Sequence, residues 1–301
     1  MPDVPCLVNE VFGPSVARRW PVVLFVVHPN SVERLPFTLT ESSVLAVIPA
    51  RFQSTRLPGK ILADIAGRPM IEHVYRRAEA ASRVHAVIVA TDDERIAGAV
   101  RGFGGAAVMT SPDHVSGTDR IAEAISSLSC GIVVNVQGDE PLIEPKDIDA
   151  AIAPLLEDAS IGMSTISRPF AGPGEFQSKS VVKVVTNDCG DALYFSRAPL
   201  EGAAAHVGLY VYRREMLLKL ASAPANRLEL AESLEQLRAL ALGIRIRVVP
   251  TAHVHAGVDT PDDLERVRRA FARGVTAASA GASSGVAHEA FAWSEGGPHR
   301  T

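Results

Sequence analysis

The sequence has few cysteines and lacks any long apolar run. Its three cysteines, Cys6, Cys130 and Cys189, are odd in number and scattered through 301 residues. This usage argues against a disulfide framework or a cysteine metal site, and it is typical of a protein in the reducing cytoplasm. No apolar stretch approaches the length needed to cross a bilayer, so we expect a cytoplasmic chain without a membrane partner.

An excess of positive charge is also absent. The formal net charge is -4, so the chain offers no basic field for nucleic acid, and we expect no nucleic-acid partner. Small anionic substrates remain compatible with this charge. Because 47% of the residues are hydrophobic, a chain of this length can bury a sizeable core.

The two ends of the chain differ from its middle. Residues 18–27 faintly suggest a signal peptide, but their apolar part is short and no convincing cleavage site follows. We expect residues 1–42 to be an extension that is disordered, packed on the surface, or the product of an upstream start. Residues 274–301 are rich in Ala, Ser and Gly, which predicts a flexible tail.

Between these ends, apolar strands alternate with helical patterns. A helix at 70–82, for example, places Ile71, Val74, Tyr75 and Ala78 on one face. Repeated strand-helix-strand units predict a mostly parallel, Rossmann-like α/β sheet flanked by helices. The predicted elements are strands at 44–50, 84–90, 106–109 and 132–136 and helices at 70–82, 93–102 and 118–128.

The pattern changes after about residue 149. Strands near 162–168, 181–186, 192–196 and 207–212 follow one another without long helices, which predicts a smaller antiparallel lobe over about residues 160–227. A helix at 228–242, which we expect to bury Leu230, Leu234 and Leu237, a strand at 244–249 and a helix at 261–272 complete a predicted domain over residues 43–273.

A polar loop follows the first buried strand directly. It carries three cations and two hydroxyls, namely Arg51, Arg56, Lys60, Ser54 and Thr55. These groups suit an anion with several charged oxygens, and a triphosphate fits best. The alternative is a solvated basic loop. A P-loop is excluded, because Gly59-Lys60 is followed by Ile61 and position 54 is not Gly.

Two aspartates follow extended segments elsewhere. Asp139 follows the buried strand at 132–136 and emerges on the same sheet edge as the polar loop. Hard oxygen ligands beside a phosphate site imply Mg²⁺, although a polar turn is the alternative. Thr260 and Asp263 form a helix-capping pair that leaves Asp259 without a capping duty.

The loop, read as Pro49-Ala50-Arg51 and then residues 54–60, resembles the signature loop of 3-deoxy-manno-octulosonate cytidylyltransferases. These enzymes make CMP-Kdo and pyrophosphate from CTP and Kdo (3-deoxy-D-manno-octulosonate). Further segments of this chain match the family in the same order over about residues 43–270. They are residues 112–120, 134–141, 194–197, 205–212, 234–238 and 257–263. The resemblance implies a nucleotidyltransferase fold, Mg-dependent CMP transfer for lipopolysaccharide synthesis, and a homodimer formed through the antiparallel lobe.

The same resemblance implies roles for particular residues. Catalysis would fall to Arg51, Arg56, Lys60 and Asp139, and Mg²⁺ would be bound by Asp139 and Asp259. The nucleotide-binding residues would be Ala50, Arg51, Ser54, Arg56, Lys60, Ser116, Gly117, Arg120 and Gln137. For Ser116, a helix cap with Asp119 is an equal alternative.

The sugar pocket implied by the resemblance contains Arg197, His206, Tyr210, Glu235 and Gln236. Strand alternation puts His206 and Tyr210 on one face, which core packing would also explain. A solvated helix face with a Glu235–Arg238 pair is the ordinary alternative for Glu235. His253 and His255 could form a metal pair, but we favour an exposed strand edge.

The chain departs from the family near the sugar pocket. The loop at 198–205 is shorter than usual, and Ala205 replaces a basic residue. Transfer to a related eight- or nine-carbon 2-keto sugar acid is therefore an alternative, as is a non-catalytic nucleotide-binding homologue. A CMP-sialate synthetase is disfavoured, because its loop typically reads Gly-Gly-Ser-Lys where this chain has residues 52–55 as Phe-Gln-Ser-Thr.

Overall fold

The computed structural model of the chain describes residues 23–28, 31–35, 37–54, 56–253 and 255–273. The predicted flexible tail at 274–301 lies outside these residues, and so does most of the predicted extension at 1–42. Within that segment, residues 23–28 and 31–35 form an antiparallel pair of strands.

The strands are β1 Val23–His28, β2 Ser31–Leu35, β3 Val44–Ala50, β4 Asp64–Ile65, β5 Arg68–Pro69, β6 Ala86–Thr91, β7 Ala107–Met109, β8 Ile132–Asn135, β9 Met163–Arg168, β10 Lys183–Thr186, β11 Ala192–Ser196, β12 Ala204–Arg213 and β13 Ile246–Pro250. The helices are α1 Met70–Ala80, α2 Glu94–Gly102, α3 Gly117–Ile125, α4 Pro145–Glu157, α5 Pro173–Gln177, α6 Arg214–Ser222, α7 Arg227–Glu232, α8 Gln236–Ala241 and α9 Pro261–Ala272.

The parallel half of the main sheet confirms the predicted α/β architecture. β3 lies between β6 and β8, and β7 pairs with β6, all in parallel. β3 is apolar throughout because helices cover both faces of this half. The carboxyl ends of β3 and β8 therefore meet at one edge, where the polar loop and Asp139 begin.

The antiparallel strands continue this sheet. β12 pairs with β8, and the order runs β11-β10-β12-β8-β3-β6-β7, while β9 pairs with both β12 and β13. β12 begins at Ala204, earlier than expected, because Ala204 and Ala205 pair with β10. One face of β12 is thereby carried up to the edge where the parallel strands end.

The helix predicted at 228–242 is not continuous, so that prediction is wrong. Ser233 adopts a left-handed conformation at φ 54° and separates α7 from α8. Leu230 is 69% exposed, whereas Leu234 and Leu237 are buried as expected. The break lets Arg238 of α8 pair with Glu229 of α7 at 3.0 Å.

The helix predicted at 70–82 is confirmed as α1, with Ile71, Val74, Tyr75 and Ala78 all buried. Helix caps also form where the sequence places them. Ser116 with Asp119 caps α3, and Thr260 with Asp263 caps α9. In the part of the chain that the structure describes, no helix has the length and apolar character needed to cross a membrane.

Candidate nucleotide and sugar sites

The polar loop after β3 is closed by its own backbone. The Gly59 amide donates to the Phe52 carbonyl at 3.0 Å, and the Lys60 amide donates to the Leu57 carbonyl at 3.2 Å. Gly59 has φ +71°, and a Cβ there would lie 3.1 Å from Cζ of Phe52, so this turn needs glycine. Thr55 lies outside the described residues.

Lys60 lies between the two predicted metal-binding carboxylates. Its Nζ donates to Oδ2 of Asp139 at 2.5 Å and to Oδ1 of Asp259 at 3.0 Å, and its side chain is only 11% exposed. Burial alone would lower the pKa of Lys60, but the two carboxylates outweigh it and raise that pKa. Arg56 reaches the other oxygen of Asp259 at 3.1 Å. Residues far apart in sequence thus form one charged cluster.

This cluster fits a magnesium ion bound together with a nucleotide. Asp139 and Asp259 converge on the same cation position, and their hard oxygen donors suit Mg²⁺. Over the described residues, no group of three or more His, Cys, Asp and Glu side chains is arranged as a metal site. In proteins, Mg²⁺ is usually bound by one or two carboxylates and completed by water and substrate phosphates.

The other wall of this site is formed by α3 and the end of β8. Arg120 is buried, and its guanidinium donates to Asp92 at 2.9 Å and to Thr110 at 2.5 Å. The Gln137 amide donates to Asn135 at 3.1 Å. Gly117 begins α3 against Pro49, where a Cβ would come within 3.4 Å of Cγ.

These walls enclose a cleft of about 300 Å³, which we call the nucleotide cleft. It is lined by every residue predicted for nucleotide or metal binding, namely Ala50, Arg51, Ser54, Arg56, Lys60, Ser116, Gly117, Arg120, Gln137, Asp139 and Asp259. The structure therefore brings the whole predicted set together, and the roles of its members stay predictions.

A second cleft of about 930 Å³, the sugar cleft, opens beside the first. It is lined by the predicted residues Arg197, His206, Tyr210, Glu235 and Gln236. Asp259 lines both clefts. A molecule in the sugar cleft can thus meet one in the nucleotide cleft at the Asp139–Asp259 cluster.

His206 and Tyr210 share one face of β12, as alternation predicts. The His206 Nε2 atom lies 2.9 Å from the Thr165 hydroxyl, and its ring packs edge-on against Phe195 at 5.2 Å. Burial lowers the pKa of His206 to about 3, so the imidazole is neutral. Burial, with the charge of Glu235, raises the pKa of the Tyr210 hydroxyl. Both side chains therefore offer uncharged polar groups.

Glu235 is held by the protein on both carboxylate oxygens. One accepts from the Thr118 hydroxyl and the other from Arg238 at 2.7 Å. Burial raises the pKa of Glu235 even though both partners oppose that shift. The neighbouring Gln236 is buried, and its Nε2 donor has no partner among the described residues. Gln236 is therefore the better placed of the two to bind a hydroxyl.

Arg197 is engaged by carbonyl groups. Its Nε donates to the Glu232 carbonyl at 2.9 Å and its Nη1 to the Lys179 carbonyl at 3.1 Å. The guanidinium is thereby fixed at the wall of the sugar cleft. Ala205, in contrast, is fully buried on the opposite face of β12, so its lack of charge does not directly open the cleft.

Comparison with known proteins places the chain in a family. The sequence matches the cytidylyltransferase family over residues 45–246. It is 57% identical over 244 residues to a 3-deoxy-manno-octulosonate cytidylyltransferase of Geobacter sulfurreducens, covering 75% of this chain and 98% of that one. The chain belongs to the 3-deoxy-manno-octulosonate cytidylyltransferase family.

Further comparisons agree with this membership. A family member from Geobacter metallireducens is 53% identical over 249 residues, covering 76% of this chain and 98% of that one. A solved structure of a CMP:2-keto-3-deoxy-manno-octonic acid synthetase complexed with CTP superposes with a TM-score of 0.75 at 44% identity. It covers 78% of this chain and 100% of that one. The predicted family and nucleotidyltransferase fold are confirmed.

In this member of the family, sequence reasoning missed Glu140. Its carboxyl group lines the sugar cleft, and its buried Oε2 has no hydrogen-bond partner among the described residues. Burial, followed by the charges of Asp139 and Asp259, raises the pKa of Glu140 to about 8. The available signal was its position directly after Asp139 in the Gly-Asp-Glu-Pro segment.

The prediction of an exposed strand edge at His253 and His255 is wrong. β13 ends at Pro250, and both rings turn inward onto Asp147 in the first turn of α4, each at 2.8 Å. The His255 side chain is only 3% exposed. Burial would raise the pKa of Asp147, but hydrogen bonds led by that from His255 hold it below its usual value.

Proposed function

We propose that this chain transfers CMP from CTP to Kdo and releases pyrophosphate, as a step of lipopolysaccharide synthesis. The observation that carries the proposal is the Lys60 ammonium held between Asp139 and Asp259 where the two clefts meet. The relatives' names and the CTP complex of the similar structure support it. We also expect a cytoplasmic homodimer that contacts through the antiparallel strands.

The residues of the nucleotide cleft act by charge. Arg51, Arg56 and Lys60 neutralise the triphosphate and the negative charge that builds on the leaving pyrophosphate. Asp139 and Asp259 would hold Mg²⁺, which would supply positive charge that stabilises the phosphate oxygens and makes the attacking hydroxyl more acidic. Lys60 then exchanges its carboxylate partners for phosphate oxygens.

The residues of the sugar cleft act by position. Neutral His206 and Tyr210, with the unpartnered Gln236 amide, hydrogen-bond sugar hydroxyls, and Arg197 pairs with the sugar carboxylate or hydroxyls. The sugar is held so that its anomeric hydroxyl attacks the α-phosphorus of CTP from the sugar cleft, and pyrophosphate leaves. Nucleotidyl transfer asks little covalent chemistry of the protein, so positioning and charge neutralisation suffice.

A related 2-keto sugar acid is the second candidate substrate. The short loop at 198–205 and the sugar cleft of about 930 Å³ leave room for a different distal end of the sugar. A non-catalytic homologue is disfavoured, because Lys60, Asp139 and Asp259 are all present and converge.

A pyrophosphate-release assay tests the proposal. The full chain is supplied with Mg²⁺, with CTP, UTP or ATP, and with Kdo, N-acetylneuraminate or another ulosonic acid. We expect release with CTP and Kdo that exceeds every other pairing. Preference for another ulosonic acid would establish the second candidate, and no release with any pairing would contradict both.

A further inference from the structure

The aromatic ring of Phe52 contacts both Gly59, near the end of the polar loop, and Arg95, in the first turn of α2. A Cβ at Gly59 would come within 3.1 Å of the ring. Cζ of Arg95 lies 3.4 Å from the ring centroid. A guanidinium at this distance is stacked on the ring face, which is a cation–π contact.

Arg95 is fixed by a neighbouring carboxylate. Its Nε and Nη2 atoms donate to the two oxygens of Asp93 at 2.9 and 2.6 Å, and Asp93 also caps α2 by accepting from the Arg95 amide. A bidentate pair holds the guanidinium plane in a set orientation. Arg95 is therefore occupied by Asp93 and Phe52, and its contribution to the loop is a stacking surface.

Different contacts hold the two parts of this loop. Arg56 and Lys60 are held by Asp139 and Asp259. Phe52, near the start of the loop, is joined to its end by the backbone hydrogen bond from the Gly59 amide to the Phe52 carbonyl. The ring of Phe52 fills the space that the missing side chain of Gly59 leaves. Because Arg95 stacks on the same ring, it can hold the ring against the turn at Gly59 before any phosphate binds.

The segment between β6 and α2 also supports the opposite wall of the nucleotide cleft. Asp92, next to Asp93, accepts from the buried Arg120 at 2.9 Å. Two adjacent aspartates after β6 therefore hold one residue for each wall, Arg120 directly and Phe52 through Arg95. A ligand that touches both walls gains from a turn that sets their separation in advance.

We propose that Arg95 and Phe52 are positioning residues for CTP, which hold the loop at residues 51–60 in its nucleotide-binding shape. The inference rests on the proposed function, since it takes CTP as the ligand. Neither residue touches the reacting atoms in this account. Their loss should therefore weaken CTP binding while leaving the chemical step and sugar use nearly unchanged.

Calorimetric titration of the full chain with CTP and Mg²⁺, without sugar, tests the proposal. Arg95→Ala should raise Kd by about two- to fivefold, the range expected for one exposed cation–π contact. Phe52→Ala should raise it further, and Phe52→Tyr should restore the wild-type value within about twofold because it keeps the ring. If Phe52→Ala fails to fold, Phe52→Leu replaces it.

Arg76→Ala is a matched control. Arg76 also stacks on an aromatic ring, with Cζ 5.4 Å from the Phe103 centroid, but Phe103 lies outside the loop at residues 51–60. The control should leave Kd for CTP unchanged. In steady-state assays, Arg95→Ala should raise KM for CTP by the same factor as Kd, with kcat and KM for Kdo within about twofold.

Hydrogen exchange of the Gly59 amide gives a readout without ligand. Exchange should be faster in Arg95→Ala than in the wild type or Arg76→Ala, since the loop opens more often. Unchanged Kd and unchanged exchange in a folded Arg95→Ala protein would overturn the inference alone. A folded wild-type protein that binds no CTP would overturn the proposed function together with it.

Discussion

The nucleotide cleft and the sugar cleft use different parts of the sheet and different polar groups. The nucleotide cleft lies at the carboxyl ends of parallel strands, and its charged side chains pair across the cleft, as Lys60 does with Asp139 and Asp259. The sugar cleft lies on one face of the antiparallel strand β12. There, His206 is neutral and Glu235 is already held by Thr118 and Arg238.

This difference has a consequence for how the two substrates are bound. Charged side chains that pair with one another can exchange those partners for a triphosphate and a metal ion. Each of them can then stabilise the charge that develops during the reaction. In the sugar cleft, Arg197 is already held by backbone carbonyls, and the neutral groups of His206 and Tyr210 provide shape and a few hydrogen bonds. We therefore expect large losses of rate from changes in the nucleotide cleft and smaller losses, seen mainly in KM, from changes in the sugar cleft.

The largest effect should follow removal of either carboxylate. Asp139→Asn and Asp259→Asn should each lower kcat/KM by at least about 10²-fold, because each removes a negative charge from the Asp139–Asp259 cluster proposed to hold Mg²⁺. Steady-state assays with Mg²⁺ measure this. Asp262→Asn, an exposed change on α9, is the control. A variant that kept more than a tenth of the wild-type rate, a loss below about 1.4 kcal/mol, would contradict the two-carboxylate site.

Lys60→Met should lower kcat/KM for CTP by about 10²-fold and change KM for Kdo much less. Its ammonium is the cation placed at the junction of the clefts, where it would meet the triphosphate. Initial rates at varied CTP and varied Kdo separate the two parameters. Lys146→Met, an exposed lysine on α4, should behave as wild type. Equal losses of kcat/KM for CTP and for Kdo would contradict the assignment of Lys60 to the nucleotide.

His206 should appear in the pH dependence of stability. Its pKa is about 3 in the folded protein against 6.5 for an ordinary histidine, so below pH 6.5 the unfolded chain binds a proton that the folded chain does not. The stability that His206 gives at neutral pH is thus lost progressively as pH falls from 6.5 toward 3. Between pH 7 and 5, the wild type should lose about 2 kcal/mol more unfolding free energy than His206→Gln.

Urea unfolding at both pH values measures that difference. Equal losses in the wild type and in His206→Gln would mean that the imidazole is charged when folded. The description of the sugar cleft as a neutral surface at this residue would then be wrong.

The smallest effect should come from Gln236→Met. The change removes a buried donor without a partner, so the unfolding free energy should stay the same or rise. If the sugar uses this donor, KM for Kdo should increase about three- to tenfold, the value of one neutral hydrogen bond. KM for CTP serves as the internal control. An unchanged KM for Kdo would remove Gln236 from the sugar site.

Features that depend on neighbouring residues could be predicted from the sequence. The loop after β3, the caps at Ser116 and Thr260, and the face shared by His206 and Tyr210 follow from strand ends, capping pairs and alternation. The convergence of Asp139 with Asp259 could be expected because both follow extended segments and because the family resemblance implies that both bind the same Mg²⁺.

Features that depend on distant partners could not be predicted. The break at Ser233 is stabilised by Arg238 pairing with Glu229, and periodicity alone favours a continuous helix there. His255 turns inward because Asp147, 108 residues away, is buried beside it. The burial that raises the pKa of Glu140 likewise comes from the packing of several segments around one motif.

In the proposed reaction, a sugar hydroxyl in the sugar cleft, and not water, attacks the nucleotide held in the nucleotide cleft. Phosphorus NMR of the full chain with CTP, Mg²⁺ and Kdo distinguishes the two nucleophiles. We expect pyrophosphate and a CMP-sugar phosphodiester in equal amounts, with CTP unchanged when Kdo is left out. Pyrophosphate and free CMP formed without any sugar, or unchanged CTP in the complete mixture with folded protein, would contradict the proposed reaction.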